Sequence, residues 1–232
     1  MKVLAIITAR GGSKGIPKKN IIDLNGKPLI QYTIDATKSS ELVDRIFLSS
    51  DDKEIIEVSK SLGVSSDYIR PEHLANDTAS SSDAVIDALE WLEKNENYIP
   101  DAVMLLQPTS PLRSSDDISF SIKQFINDKK NCLVSVHEML EHPFECVSNI
   151  DSDNWNFLAE QDIQATRRQD YNDEFYYING AIYLVDYSYF KENRKFLDKT
   201  STSFFKMPHV RGIDIDEYID LRKAEFFLQG AY

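Results

Sequence analysis

The chain has 232 residues, of which 42% are hydrophobic and 28% charged, and its formal net charge at pH 7 is −12. This size fits one globular domain over residues 1–232, and the negative charge argues against nucleic acid or an anionic membrane as the main partner. No segment approaches the roughly 20 apolar residues that cross a bilayer, and the two cysteines, Cys132 and Cys146, form no Cys-x-x-Cys motif, so we expect a cytoplasmic protein without a disulfide framework or structural zinc.

The first predicted element is a buried strand over residues 3–9, which leads directly into a basic, glycine-rich turn. Residues 10–20 have the sequence RGGSKGIPKKN, with three glycines and four cations. Glycine lets successive backbone amides converge on one anion, so the turn is suited to a polyphosphate. The spacing matches neither the P-loop nor the dinucleotide-binding GxGxxG motif. A flexible surface loop with solvated lysines is the alternative interpretation.

The rest of the chain alternates predicted helices and strands, which is typical of an α/β fold with a three-layer, mostly parallel sheet. The loop after the apolar strand 102–106 contains two prolines, and we expect it to face the same crevice as the basic turn, because ligands bind beyond the carboxyl ends of parallel strands. The predicted helices are 28–38, 51–62, 78–94, 115–127, 187–191 and 217–228. Besides 3–9 and 102–106, the predicted strands are 45–49, 64–69, 132–137, 181–185, 204–207 and 212–215.

Residues 138–175 interrupt this alternation. The segment is polar and has no helical or strand periodicity, yet it contains Trp155, Phe157 and Tyr171. From the residues alone it is a long surface excursion.

Near the carboxyl end, Asp214 and Asp216 flank Ile215. In an extended segment, residues two apart point to one face, so both carboxylates project together while the isoleucine packs inward. Two adjacent carboxylates repel unless a cation lies between them. Mg²⁺ fits this arrangement because it is commonly held by one or two carboxylates plus water and phosphate oxygens. The alternative interpretation is a helix start before Glu217.

Several motifs occur together in one order along the chain. They are ARGGSKGIPKKN at 9–20, RP at 70–71, DTASS at 77–81, QPTSPLR at 107–113, RQ at 168–169, NGAIY at 179–183 and IDID at 213–216. In this order the motifs resemble those of the acylneuraminate cytidylyltransferases, the CMP-sialic acid synthetases, and the resemblance extends from residue 3 to about 228.

The resemblance implies a nucleotidyltransferase, Rossmann-like fold and a Mg²⁺-assisted reaction. A cytidylyl group would pass from CTP to an acidic nine-carbon sugar, with release of pyrophosphate. Residues 138–175 would form a dimerisation arm, and because a monomer would expose its aromatic side chains, we expect a homodimer.

The resemblance also implies roles for individual residues. The catalytic set is Arg10, Lys14, Asp214 and Asp216, of which the two aspartates hold the metal. The CTP-binding set is Arg10, Gly12, Lys14, Lys19, Asn20, Arg70, Ser80 and Ser81, although the two serines also suit a helix cap. The sugar-binding set is Gln107, Arg168, Asn179 and Tyr183.

One departure from the family's pattern concerns the sugar. Glu145 stands where the sialic acid enzymes often carry a lysine near the substrate carboxylate. We predict an N-acylneuraminate substrate, with legionaminate and pseudaminate left open and the pair Arg167 and Arg168 able to compensate for the charge. More distant hypotheses are an Asp-x-Asp glycosyltransferase and a non-catalytic sensor. A Kdo-specific cytidylyltransferase is a nearer alternative, although its loop usually differs around the lysine.

Overall fold

A six-stranded sheet with helices on both faces forms the centre of the chain, in a computed structural model that describes residues 1–151, 154–159 and 174–230. The strands are β1 (Val3–Thr8), β2 (Asp23–Leu24), β3 (Lys27–Pro28), β4 (Arg45–Ser49), β5 (Ala102–Leu106), β6 (Cys132–Glu138), β7 (Val147–Asp151), β8 (Asn154–Phe157), β9 (Tyr176–Asp186) and β10 (Thr202–Lys206). The α-helices are α1 (Leu29–Lys38), α2 (Lys53–Ser61), α3 (Ser81–Glu96), α4 (Ser115–Asp128), α5 (Tyr187–Asn193) and α6 (Tyr218–Leu228).

The strand order in this sheet is β10-β6-β9-β5-β1-β4. Five strands run in one direction, whereas β9 is antiparallel to both of its neighbours, β5 and β6. The central strands β1 and β5 are buried along almost their whole length, as strands covered on both faces must be. The expected mostly parallel α/β fold is therefore confirmed.

Two apolar cores lie on opposite faces of the sheet because side chains alternate along each strand. Val3, Ala5 and Ile7 of β1 pack with α1, α2 and α4. Leu4 and Ile6 pack on the other face with α3 and α5. These layers hold the carboxyl ends of β1 and β5 rigidly at one edge of the sheet.

A third, smaller core joins the two ends of the chain. Ile16 of the basic turn and Leu24 of β2 pack against Ile215 and Leu221, all of them buried. A Cβ on Gly15 would collide with the carbonyl oxygen of Asp216, so the turn needs a glycine at the point where it meets the carboxylate segment. This packing places the basic turn beside Asp214 and Asp216.

Several predicted elements differ from the structure, among them the strand predicted at 181–185, which is the longer β9. Residues 64–69 form no strand: Val64 and Tyr68 are buried, but the segment has no strand partner and passes outside the edge strand β4. Residues 212–215 also form no strand, because a 3-10 helix covers His209–Gly212 and the chain then runs extended and unpaired. The helix predicted from residue 78 begins at Ser81, since Ser80 caps it.

The segment 138–175 contains more regular structure than its sequence indicates. A 3-10 helix covers Pro143–Glu145, and β7 and β8 form an antiparallel hairpin. Tyr171 and Arg168 lie outside the described residues, and the dimerisation arm stays a prediction. None of the helices in the described parts of the chain is both long and apolar enough to cross a membrane.

Candidate active site

A cavity of about 280 Å³ opens at the carboxyl ends of β1 and β5. Its walls come from the basic turn, the start of α3, the loop after β5 and the segment before α6. The cations near the amino end and the carboxylates near the carboxyl end therefore face one space. Predicted site residues that line it are Arg10, Gly12, Lys19, Asn20, Arg70, Ser80, Ser81, Gln107, Asp214 and Asp216.

The basic turn is held in place by its neighbours. The side-chain amide of Asn20 donates to the carbonyl oxygen of Arg10 at 2.9 Å, and the backbone N–H of Gly11 donates to Asp51 at 3.0 Å. A Cβ at Gly12 would meet nothing within 4 Å, so the backbone there borders open space. A ligand can thus approach the main chain of the turn closely.

Arg10 and Lys14 both pair with Asp77, which lies in the loop before α3. Arg10 Nη1 is 2.9 Å from Asp77 Oδ1, and Lys14 Nζ is 2.9 Å from Asp77 Oδ2. Hydrogen bonds from Lys14 and Arg10 hold the pKa of Asp77 below its usual range. Lys14 is largely exposed and lies outside the cavity lining.

Asp214 and Asp216 line the cavity together while Ile215 is fully buried, as an extended segment requires. Burial raises the pKa of Asp214, and the nearby carboxylate of Asp216 raises it further, whereas a hydrogen bond from Thr109 acts in the opposite direction. The backbone N–H of Ile215 donates to the carbonyl oxygen of Thr109 at 2.8 Å and anchors the segment to the loop after β5.

Lys19 connects the basic turn to these carboxylates. Its Nζ donates to the carbonyl oxygen of Ile215 at 2.8 Å and lies 3.0 Å from Asp216 Oδ1. The side chain is only 14% exposed. Lys19 therefore bridges the two walls of the cavity.

Arg70 and Ser80 are both committed to protein partners. Arg70 is buried and its Nε donates to Ser49 Oγ at 2.9 Å, while burial lowers the pKa of its guanidinium. Ser80 Oγ caps α3 by accepting from the N–H of Asp83 at 3.1 Å and donates to the carboxylate of the same residue at 2.7 Å. The capping interpretation of Ser80 thus matches its contacts.

The predicted sugar-binding residues are not all brought together. Gln107 lines the cavity, but Asn179 lies outside its lining. The side-chain oxygen of Asn179 instead accepts from Ser135 Oγ at 2.5 Å and from the N–H of Ala181 at 3.1 Å, within the sheet. Tyr183 is half-buried; burial and the nearby Asp214 raise the pKa of its hydroxyl. Arg168 lies outside the described residues, and Glu145 is exposed.

Arg113 has a structural position that sequence reasoning missed, although it ends the QPTSPLR motif. Its side chain is 2% exposed; Nη1 donates to the carbonyl oxygen of Ala181 at 2.6 Å and Nη2 to Thr33 Oγ1 at 2.7 Å. A longer contact of 3.4 Å joins Nη1 to the carbonyl oxygen of Gln107. Burial lowers the pKa of Arg113 to about 10. This arginine ties the loop after β5 to β9.

Comparisons with known proteins identify the family of this chain. The sequence model of a family described as cytidylyltransferase matches residues 4–231. Pseudaminic acid cytidylyltransferase of Campylobacter jejuni is 37% identical over 226 residues, covering 97% of this chain and 95% of that protein. CMP-N,N'-diacetyllegionaminic acid synthase of Legionella pneumophila is 34% identical, with 99% and 97% covered. N-acylneuraminate cytidylyltransferase of Escherichia coli is 32% identical, covering 96% of this chain and 51% of that protein.

The fold also matches a solved structure. CMP:2-keto-3-deoxy-manno-octonic acid synthetase in complex with CTP superposes with a TM-score of 0.73 at 15% identity, and all of both chains is covered. At that identity the likeness shows the fold alone. Because the family match covers nearly all of the chain, this protein belongs to the cytidylyltransferase family, the CTP-dependent nucleotidyltransferases that its motifs resemble.

Proposed function

We propose that this cytidylyltransferase activates a nonulosonic acid of the pseudaminate or legionaminate type, forming the CMP-sugar and pyrophosphate from CTP. The observation that carries the reaction is the single cavity that holds Arg10 and Lys19 together with Asp214 and Asp216. The sugar class rests on the two relatives that match over almost their full length. N-acylneuraminate, the main prediction from the sequence, thereby becomes the alternative.

The residues of the cavity suit a transfer at the α-phosphate. Such a reaction develops negative charge on phosphoryl oxygens and on the departing pyrophosphate, so stabilising that charge is the main catalytic task. Arg10, Lys14 and the open backbone at Gly12 suit the triphosphate. Lys19, fixed at the junction of both walls, suits the reacting phosphate. Arg70 and the start of α3 then remain for the cytidine.

Asp214 and Asp216 fit a Mg²⁺ ion in their chemistry, since both offer carboxylate oxygens to the same cavity. Within the described ranges no group of three or more histidine, cysteine or carboxylate side chains is arranged to hold a metal. A cation here would therefore share its remaining positions between phosphate oxygens and water. When bound, it would stabilise phosphate charge and favour ionisation of the attacking hydroxyl.

The acceptor sugar would lie between the carboxylates and β9. Gln107 borders this space, and Tyr183 is close enough to Asp214 for that carboxylate to shift its pKa. Asn179 would act indirectly, because its side chain holds the backbone at Ala181 and the hydroxyl of Ser135. Arg168 remains a proposed ligand of the sugar carboxylate, for which a guanidinium is suited by its two parallel donors.

A second copy of the chain is the proposed partner of the β7–β8 hairpin. Trp155 and Phe157 are 60% and 68% exposed, and Val147, which pairs with Phe157, is 50% exposed. Neighbouring apolar side chains exposed to this degree mark an interaction surface. A homodimer formed through the hairpin would cover them.

Pyrophosphate release tests the function directly. The purified enzyme is assayed with CTP and Mg²⁺ against pseudaminic, legionaminic and N-acetylneuraminic acids, with UTP and ATP as controls and EDTA added in one series. We expect turnover with CTP and a preference for one of the first two sugars. Equal use of all nucleotides, or no turnover with any of these sugars, would overturn the proposal. Turnover with N-acetylneuraminic acid alone would instead support the N-acylneuraminate alternative.

A further inference from the structure

Asp77 places a carboxylate on the two cations that are suited to the triphosphate. One oxygen lies 2.9 Å from Arg10 Nη1 and the other 2.9 Å from Lys14 Nζ. The residue lines the same cavity as Arg10 and Gly12. A carboxylate with each oxygen on a separate cation occupies positions that two phosphate oxygens would otherwise take.

The loop around Asp77 holds the carboxylate in this position. The side-chain oxygen of the preceding Asn76 accepts from the N–H of Thr78 and from that of Ala79, both at 2.9 Å. Its side-chain nitrogen donates to the carbonyl oxygen of His73 at 2.8 Å. Asp77 is thus presented to the basic turn by an ordered loop.

The pairs with Asp77 are exposed enough for a multiply charged ligand to displace the carboxylate. The side chains of Arg10, Lys14 and Asp77 are 37%, 79% and 47% exposed, so solvent screens the pairs. A triphosphate carries several charges and is also anchored by its nucleoside, so it can replace one carboxylate. Free pyrophosphate has the charge but lacks the nucleoside anchor.

We propose that Asp77 is an internal competitor for the phosphates of the substrate and product: it occupies Arg10 and Lys14 when the nucleotide is absent and returns to them as pyrophosphate leaves. The inference rests on the proposed function, since it takes these cations to be the site of the β- and γ-phosphates. It assigns Asp77 a role in weakening the retention of pyrophosphate. CMP, which has only an α-phosphate, does not need to displace the carboxylate.

The test compares Asp77→Asn with Asp67→Asn, which removes the same charge from an exposed position outside the cavity lining. Calorimetric titrations measure the binding of pyrophosphate, CTP and CMP to each variant and to the unchanged protein. We expect Asp77→Asn to bind pyrophosphate and CTP roughly two- to fivefold more tightly, because a competing ion pair of this exposed kind is removed. The affinity for CMP should not change, and Asp67→Asn should behave as the unchanged protein does.

Two results would overturn the inference while leaving the function intact. If the unchanged protein binds CTP but Asp77→Asn binds pyrophosphate no more tightly, the carboxylate does not compete. If CMP gains as much affinity as pyrophosphate, the substitution has altered the cavity in general. Failure of the unchanged protein to bind either CTP or pyrophosphate would instead contradict the proposed function, so the two failures are distinguishable.

Discussion

The proposed nucleotide end and the proposed acceptor end of the site are built differently. At the nucleotide end, Arg10, Lys19 and Arg70 are held by backbone and side-chain partners around one well-defined space. At the acceptor end, Asn179 is buried within the sheet, Tyr183 lies outside the lining and Arg168 lies outside the described residues. The residues of the proposed nucleotide end are thus brought together by protein contacts, whereas the proposed sugar-binding residues are not.

The largest effects are expected at the carboxylates that border both ends. Asp214→Asn and Asp216→Asn should each lower kcat/KM on the order of 100-fold or more, because each would remove a charged oxygen ligand of the proposed Mg²⁺ ion. Steady-state pyrophosphate release measures this loss. Either variant with turnover near that of the unchanged enzyme would break the proposed division of the cavity.

Stability should separate these two carboxylates. Partial desolvation of its carboxylate raises the pKa of Asp214 although the residue keeps solvent access, so ionisation is less favourable in the folded than in the unfolded chain. Asp214 does not destabilise the fold below the unfolded pKa, near 4, where it is protonated in both states. Its destabilising effect develops as pH rises from there through the folded pKa. Asp214→Asn should therefore raise the Tm at pH 7 without metal, and the gain should shrink toward pH 4. Asp216→Asn removes the carboxylate that pairs with Lys19 at 3.0 Å, so it should give no rise.

Substitution of Arg113 tests the connection between the loop after β5 and strand β9, which joins the two ends of the site. Lysine cannot reproduce a guanidinium that donates to both Ala181 and Thr33, so Arg113→Lys should cost about 2–4 kcal/mol of unfolding free energy in urea. Because Arg113 also contacts the carbonyl oxygen of Gln107, the KM for the sugar should rise more than the KM for CTP.

The matched control for this substitution is Arg222→Lys on α6. Arg222 is 77% exposed and pairs with Glu225 at 2.8 Å, so the change should stay within about 0.5 kcal/mol. A stability loss for Arg113→Lys no larger than that of the control would show that the buried guanidinium does not join the two ends.

The proposed nucleotide end was partly predictable from sequence because Arg10 and the glycines of the basic turn directly follow strand β1. Asp214 and Asp216 were found from their spacing in an extended segment, and Gln107 was assigned only through the family resemblance. Asp77 and Thr109 also line the cavity, but no role was predicted for them from sequence. Their positions depend on contacts between distant residues, namely the ion pair of Asp77 with Arg10 and the hydrogen bond of Thr109 with the Ile215 backbone.

The acceptor end was less predictable because its polar residues depend on strand pairing. The side-chain oxygen of Asn179 accepts a hydrogen bond from Ser135 Oγ. Ser135 lies on the neighbouring strand β6, where the β6–β9 register shifts between Val134 and Val136. Gly180, with a φ of +74°, lies in the same irregular stretch of β9. Local sequence does not reveal this irregularity. Strand pairing also explains the wrong prediction of a strand at 64–69, because β-propensity alone does not supply a pairing partner.

Substitutions in the β7–β8 hairpin test whether the chain forms the proposed homodimer. Trp155→Ser combined with Phe157→Ser removes two exposed aromatic side chains and should raise the dimer dissociation constant at least about tenfold. Sedimentation velocity over a range of concentrations measures it. Asn156→Ser, at the position between them on the opposite face of β8, should leave association unchanged. A monomeric unchanged protein at micromolar concentration would contradict the dimer.

The smallest expected effect lies at Ser80, where capping and cytidine contact compete as explanations. Its hydroxyl is engaged with the N–H and carboxylate of Asp83, so Ser80→Ala should lower the unfolding free energy by about 1 kcal/mol while the KM for CTP changes less than about threefold. Ser81→Ala is the matched control, because Ser81 lines the cavity but does not cap α3. If Ser80→Ala leaves stability unchanged and raises the KM for CTP more than Ser81→Ala does, the hydroxyl of Ser80 serves the nucleotide, and the proposed nucleotide end extends to the first turn of α3.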